Sequence, residues 1–437
     1  MKLHRRILAL LLALCVCCTC QAALAQAVAQ EDTYAPVTEE LLTVLEGDAE
    51  LKGLVEDSIA QAAQINPDRE TNPVQSLDEL YSFIDYSLTC MPWNIMDDTR
   101  YDSFATKCDQ SILYVYFLLD QPLEALESEG LFYPSVEYLE PIYTWLREYN
   151  NSWREYLDSE DSWKDEYYQM LLSDPTWNLD KGWYEDKDNW HTFNEFFARR
   201  LSGSQARPVA SPEDDAVVVS PADSLPQGVW EIGEDGTYLA SPILNEEGVE
   251  IKSSVYVSVE QMLGEDGADF AARFHGGVLT HTYLNYDDYH RYHVPVSGTV
   301  VAQYIVPHAN AVGGVVYWDA GRALYVLESN SLSWQAVETR GCVIIDTQAY
   351  GLVAVMPIGM GQVSSVNFED TIQVGAQVRK GDPLGYFLFG GSDCVMLFEK
   401  QAGFELTVSE GASGGYSNGY AHVLCNQAYG RMNGQTK

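Results

Sequence analysis

Two rhythms of apolar and polar positions divide this chain. Between residues 31 and 180, apolar side chains recur every three or four positions. Ile142, Trp145, Tyr149, Trp153 and Tyr156 therefore fall on one face of a helix. Ser76 followed by Glu79, just ahead of Leu80 and Ile84, marks a helix start. A serine there accepts from the third amide while the acid reaches back to the cap. From about residue 205 the runs become short and β-rich: "AVVVS", "SVYVSV", "GTVVAQYIV", "CVIIDT" and "GLVAVMPI", punctuated by Gly, Pro and Asp. No helix-length segment separates most of them, which predicts a mainly antiparallel, sandwich-like β domain rather than a doubly wound sheet. The expected class is α+β, with a helical, aromatic-rich region over 26–185 and the β domain over 186–437.

Residues 1–25 change the picture of where the chain acts. Lys2, Arg5 and Arg6 precede a short apolar stretch, Ile7–Cys18, and Ala23-Leu24-Ala25 offers small residues for cleavage. That is the make-up of a secretory signal peptide. Its twelve apolar residues fall short of the ~20 that span a bilayer. No other run is long and apolar enough to be transmembrane, so the protein is expected to be exported, secreted or in the cell envelope. With 25 basic and 64 acidic residues the formal net charge is −39. Nucleic acid is thereby excluded as a partner, and an anionic membrane surface is disfavoured. Cys90, Cys108, Cys342, Cys394 and Cys425 lie beyond the leader. Cys90 and Cys108 could pair in an oxidising compartment, and Cys394 reads as a small buried strand residue. The Trp-rich stretch is read mostly as core, and the Gly-, Ser- and Asn-rich tail from Ser409 to Lys437 as loosely ordered.

Candidate chemistry centres on Gly390-Gly391-Ser392-Asp393, between "GDPLGYFLF" and "CVMLF". A serine after glycine can turn its hydroxyl on the preceding carbonyl, because glycine has no Cβ to block the attack. Loss of the resulting ester by β-elimination would cut the chain and leave a ketone, a covalent electron sink of the kind usually supplied by a cofactor. Gly-Gly-Ser alone is more often a hairpin turn. Two further motifs support the chemical reading: Ser220-Pro221-Ala222-Asp223, and Asp288-Tyr289-His290-Arg291-Tyr292-His293-Val294-Pro295. Together they offer an acid, a base and a nucleophile.

On these motifs the chain resembles the phosphatidylserine decarboxylase family, whose signatures are S-P-A-D, D-Y-H-R-x-H-x-P and a late G-S. "FFARRL" at Phe196–Leu201, Arg207-Pro208, Ile251-Lys252, "HGGVL" at His275–Leu279 and "KGDPLGYF" at Lys380–Phe387 continue the likeness in family order. It covers roughly residues 190 to 400. "CMPWN" at Cys90–Asn94 and the approach to "FNEFFARRL" are also faintly similar to fungal tryptophan decarboxylases of the same superfamily.

The resemblance implies a proenzyme that cleaves itself between Gly391 and Ser392, with Ser392 becoming a covalent pyruvoyl group. It implies that Asp223, His293 and Ser392 drive this cut, and that His290 serves decarboxylation. The substrate would be an amine-bearing carboxylate, phosphatidylserine first and a soluble amino acid such as tryptophan second. The partners would be the protein's own α and β chains. An inert envelope or binding protein on the same fold is the rival class. His281, His290 and His293 could instead suggest zinc, and "VRKGDPLG" also occurs in secreted zinc peptidases. Those need a His-x-His near their C-terminal end, where this chain has His422, so no metal is expected. Three positions depart from the family pattern: Asp393 where Ser or Thr is common, Ser224 after S-P-A-D, and Glu338-Thr339-Arg340 for N-x-R.

Overall fold

A computed structural model of the chain describes residues 34–96, 98–240, 243–244, 250–252, 255–307, 314–328, 334–361, 365–411 and 419–434, with only the backbone at 98, 239–240, 243–244, 250–252, 255–256 and 391–392. The leader expected at 1–25 lies outside the described residues. Among those described, no helix is long and apolar enough to cross a membrane.

The helical region is built from α1 (Pro36–Gly47), α2 (Ala49–Ile65), α3 (Leu77–Ser87), α4 (Phe104–Leu119), α5 (Glu140–Leu157) and α6 (Asp165–Ser173). The predicted stripe is the buried face of α5, where Ile142, Trp145, Tyr149 and Trp153 are at most 1 % exposed. Indole and phenol tips find partners there, as buried polar groups require. Trp145 Nε1 donates to the Val37 carbonyl, Trp153 Nε1 to that of Cys90, and Tyr149 pairs with Ser87. Ser76 caps α3 as expected, but Glu79 accepts from the Gln75 amide instead of closing the box. Cys90 and Cys108 are unpaired thiols.

The β domain carries a seven-stranded sheet made of β1 (Leu225–Glu231), β2 (Val278–Tyr283), β3 (Gly298–Val306), β4 (Arg340–Asp346), β5 (Leu352–Gly359), β6 (Gln377–Val378) and β7 (Gly391–Phe398). Their order is β6-β3-β4-β5-β7-β2-β1, with every neighbouring pair antiparallel. Both faces are buried at the central strands, which is why β4, β5 and β7 read as continuous apolar runs rather than alternating ones. Cys394, Met396 and Phe398 enter one core with Ala222, Tyr292 and Val294. Val395 and Leu397 enter the other, with Val259, Leu263 and Trp334. The architecture is the expected α+β class with mainly antiparallel sheets.

One hairpin ties the two regions together. Strands Val315–Asp319 and Leu324–Glu328 leave the β domain and insert Val316 and Tyr325 into the helical core. Gln110 of α4 bonds both backbone polar groups of Tyr325, whose hydroxyl accepts from Asn66 and donates to the Thr71 carbonyl. The helices are thereby fixed to the β domain by buried, fully satisfied polar groups.

The tail is not loose throughout. Ala428–Met432 is a strand paired with both Val217–Val219 and Phe404–Leu406, and Tyr429 is buried. Val423, Tyr429 and Met432 reach the core through backbone pairing, which a Gly-, Ser- and Asn-rich composition does not reveal. Residues 412–418 lie outside the described set.

Candidate active site

The Ser220–Asp223 turn is sewn between two segments remote in sequence. On one side the His293 amide donates to the Pro221 carbonyl at 2.7 Å. On the other, Ser220 and Ser224 exchange backbone bonds with the 423–427 segment. The turn therefore presents Asp223, 2 % exposed, at the meeting point of the histidine motif and the returning tail.

Asp223 makes no hydrogen bond to His293 and takes other partners instead. Arg207 Nε donates to Oδ1 at 2.8 Å and its Nη2 to Oδ2, while the Cys425 amide donates to Oδ1 at 2.7 Å. A guanidinium fork matches a carboxylate well, and this one saturates it. Burial works against the Arg207 charge, but Asp223's bond and charge outweigh it and raise its pKa. Trp183 stacks beneath the guanidinium, with Arg207 Cζ 4.3 Å from the ring centroid.

His293, 6 % exposed, has both nitrogens engaged. Nδ1 donates to the Gly381 carbonyl at 2.9 Å, and Nε2 meets the Tyr289 hydroxyl at 3.1 Å. The carbonyl comes from the "KGDPLGYF" turn, where Gly381 has φ +92°, a conformation that favours glycine. Burial lowers the His293 pKa, opposed by the Gly381 carbonyl and the charge of Asp223. His290 is fully buried and stacked on Phe197 at 3.8 Å, with Nδ1 donating to the Asp288 carbonyl at 3.0 Å. Burial, reinforced by the charge of Arg199, takes its pKa well below 6.5. Both imidazoles are neutral near neutrality, the state in which an imidazole can accept a proton.

Ser392 occupies a break in the sheet. Ile358 of β5 pairs with Asp393 and Gly359 with Gly391, which leaves Ser392 as the extra residue of a β-bulge. Gly390, just before, has φ +99°. Bulges occur beside active sites because they free a residue from the ladder. On the downstream side, Cys394 shares a core with Ala222 and Tyr292 and lies within electrostatic reach of Cys425. On the upstream side, Phe389 lies 5.1 Å from Phe197, the ring under His290. The Gly391–Ser392 bond thus runs between the surroundings of Asp223 and those of His290.

Several site residues escaped the sequence reading. Arg207 belongs to a quoted motif, yet its hold on Asp223 does not follow from spacing. Cys425 contributes a backbone amide, which no side-chain pattern signals. His422 bonds Asp288 at 2.8 Å. Burial pushes the Asp288 carboxyl up to about 6 despite that bond, while the bond raises the His422 pKa against its own burial. The helical region also contributes. Trp153 packs edge-on to Phe389, and Tyr286 stacks on Phe389 at 5.9 Å. Asp109 of α4 bonds Tyr286, and burial pushes its carboxyl up to about 7.

A buried carboxylate bound by a guanidinium, two neutral imidazoles and a bulged Gly-Gly-Ser strand, all in one domain, are the equipment of an enzyme. Comparison with known proteins gives the class a family. A model described as phosphatidylserine decarboxylase matches residues 193–425. Phosphatidylserine decarboxylase proenzyme 2 of Oryza sativa is 34 % identical over 215 residues, 49 % of this chain and 30 % of the relative. Decarboxylase iboD of Amanita muscaria is 31 % identical over 279 residues, 58 % of this chain and 75 % of the relative. A phosphatidylserine decarboxylase proenzyme of Chlamydia trachomatis is 29 % identical over 214 residues, 49 % of this chain and 61 % of that protein. The chain belongs to the phosphatidylserine decarboxylase family, a family of carboxy-lyases.

Proposed function

We propose that this protein is a pyruvoyl-dependent decarboxylase, made as a proenzyme that splits itself between Gly391 and Ser392 and acts on phosphatidylserine to give phosphatidylethanolamine. The observation that supports the reading is the bulge that frees Ser392 from the ladder, between Cys394, which shares a core with Ala222 of the Asp223 turn, and Phe389, which packs on the ring under His290. Export, read from residues 1–25, is part of the same proposal.

The residues present fit formation of the group. Ser392 is released from the ladder by the bulge, and Gly390 at φ +99° allows the sharp approach that precedes it. In the cut, Ser392 Oγ attacks the Gly391 carbonyl carbon as its proton passes to neutral His293. The C–N bond then breaks, with its nitrogen taking a proton. Loss of the Ser392 α-proton expels the Gly391 carboxylate. Water then replaces the nitrogen, which leaves as ammonia, so that a ketone remains at residue 392. Asp223, held by Arg207, favours the charged form of His293 while that proton is carried. The pyruvoyl carbonyl supplies the electron sink for loss of CO₂ from an amine-bearing substrate. His290, kept neutral by burial and oriented by the Asp288 carbonyl, is positioned to move the proton that replaces CO₂.

A second substrate reading has its own support. Phe389, three residues before Ser392, is fully buried in the helical core with Trp153 and Phe193. Aromatic surroundings so near Ser392 in sequence, together with a net charge of −39, suit a soluble amino acid such as tryptophan better than a lipid in an anionic surface. Release of CO₂ from phosphatidylserine vesicles and from free tryptophan by the purified protein separates the two. A chain that stays whole and turns over neither would be the inert binding protein on the same fold.

A further inference from the structure

Asp393, the residue after the proposed cut, is fully buried and faces away from Asp223 and His293. Its strand neighbour Cys394 enters the core shared with Ala222 and Tyr292, whereas Val395 enters the opposite one. On that opposite face His281 of β2 reaches it diagonally across the ladder: Val395 is the residue directly opposite His281. Diagonal neighbours on one face are within reach of long side chains. His281 Nε2 lies 2.5 Å from Asp393 Oδ1 and also contacts the second oxygen. The imidazole is 7 % exposed, flanked by Trp230 at 6.4 Å and edge-on Trp334 at 6.3 Å. Family members commonly carry Ser or Thr here, side chains too short to span to His281.

Backbone pairing gives the contact a purpose. Ser392 is the unpaired bulge residue, so Asp393 is the first residue after the cut held on both sides, by Ile358 of β5 and Tyr283 of β2. Once the Gly391–Ser392 bond is gone, residue 392 is the end of a new chain that depends on Asp393 for its position. Both partners of Asp393 then belong to the other chain.

We propose that His281 and Asp393 anchor the new chain terminus, acting as positioning residues that hold residue 392 in place beside His290 and His293 after scission. A catalytic terminus left to fray loses the alignment on which turnover depends, and misplacements of an ångström are costly. The inference rests on self-cleavage at Gly391–Ser392.

The test compares the full-length wild type with Asp393→Asn, His281→Gln and the double variant. Splitting is followed on denaturing gels, carbonyl content by phenylhydrazine, and terminus order by amide exchange at 393–395 in the split protein. The anchor predicts that each single variant splits and carries carbonyl. It also predicts exchange at 393–395 faster by about tenfold and kcat per carbonyl lower by about tenfold with KM little changed. The double variant, in which two amides can bond, recovers part of both. Unchanged exchange and kcat per carbonyl in the single variants, whatever their melting temperatures, would overturn the anchor. So would folded variants that remain unsplit, because the pair would then act before scission. His281→Gln decides if Asp393→Asn fails to fold, since it leaves the new terminus untouched. An unsplit wild type overturns the pyruvoyl reading itself, whereas a split wild type with unaffected variants overturns the anchor alone.

Discussion

Arg207 occupies both carboxylate oxygens of Asp223 in an ion pair that is almost completely shielded from water. The acid is therefore held by a guanidinium and a backbone amide, and it acts on His293 through its charge rather than a shared hydrogen bond. Removing one member of a buried pair strands the other, at a cost of about 3–5 kcal/mol. Arg207→Ala is expected to lower unfolding free energy by that order in urea titrations, and to leave the chain unsplit on a denaturing gel.

The two histidines should part company under substitution. His293→Ala is expected to block splitting, because it removes the neutral imidazole that the Gly381 carbonyl orients within the electrostatic reach of Asp223. His290→Ala should still split, yet release no CO₂. Gels together with CO₂ release check both, and normal turnover in His290→Ala would refute the division of roles.

Burial of His290 also ties stability to pH. Its folded pKa lies well below the ordinary 6.5. As pH falls below that value, the unfolded chain takes up a proton that the folded chain does not. Stability is therefore lost on acidification below about pH 6.5. His290→Gln, which cannot titrate, should lose less stability than the wild type between about pH 6.5 and 5. Thermal unfolding across that range is the measurement.

Asp109 predicts the opposite slope. Its carboxyl is pushed up to about 7 by burial beside Tyr286, while the unfolded chain ionises near 3.8. The penalty of ionising it in place grows as pH rises between those values and is complete above the higher one. Asp109→Asn should raise the melting temperature at about pH 8 and leave it nearly unchanged at about pH 4. An equal shift at both pH values would contradict this account of Asp109.

Much of the site was legible in the sequence because its side chains carry the chemistry. Asp223, His290, His293 and Ser392 stand in motifs whose residue types announce acid, base and nucleophile. The helix of Ile142 to Trp153 was legible for a similar reason, since its period of three to four is the period of its burial. What escaped depends on where the backbone goes. The Cys425 amide reaches Asp223 only because the tail returns as a strand, and a Gly- and Ser-rich composition conceals that return. The Tyr325 hairpin looks like any other β run until the helices close around it. The sheet order β6-β3-β4-β5-β7-β2-β1 places β7 between strands distant in sequence, so the His281–Asp393 contact has no local signature. The missing Asp223–His293 bond has the same origin, because the competitor for the carboxylate, Arg207, sits sixteen residues away with nothing in the spacing to rank it.

The most direct test of the account is the mass of the purified protein, read on the intact chains and on the amino end of the smaller one. Scission at the bulge predicts a 46-residue chain that begins with a ketone, reacts with phenylhydrazine, and is absent from Ser392→Ala. A single undivided chain with an ordinary serine at 392, in protein that releases CO₂ from its substrate, would contradict it.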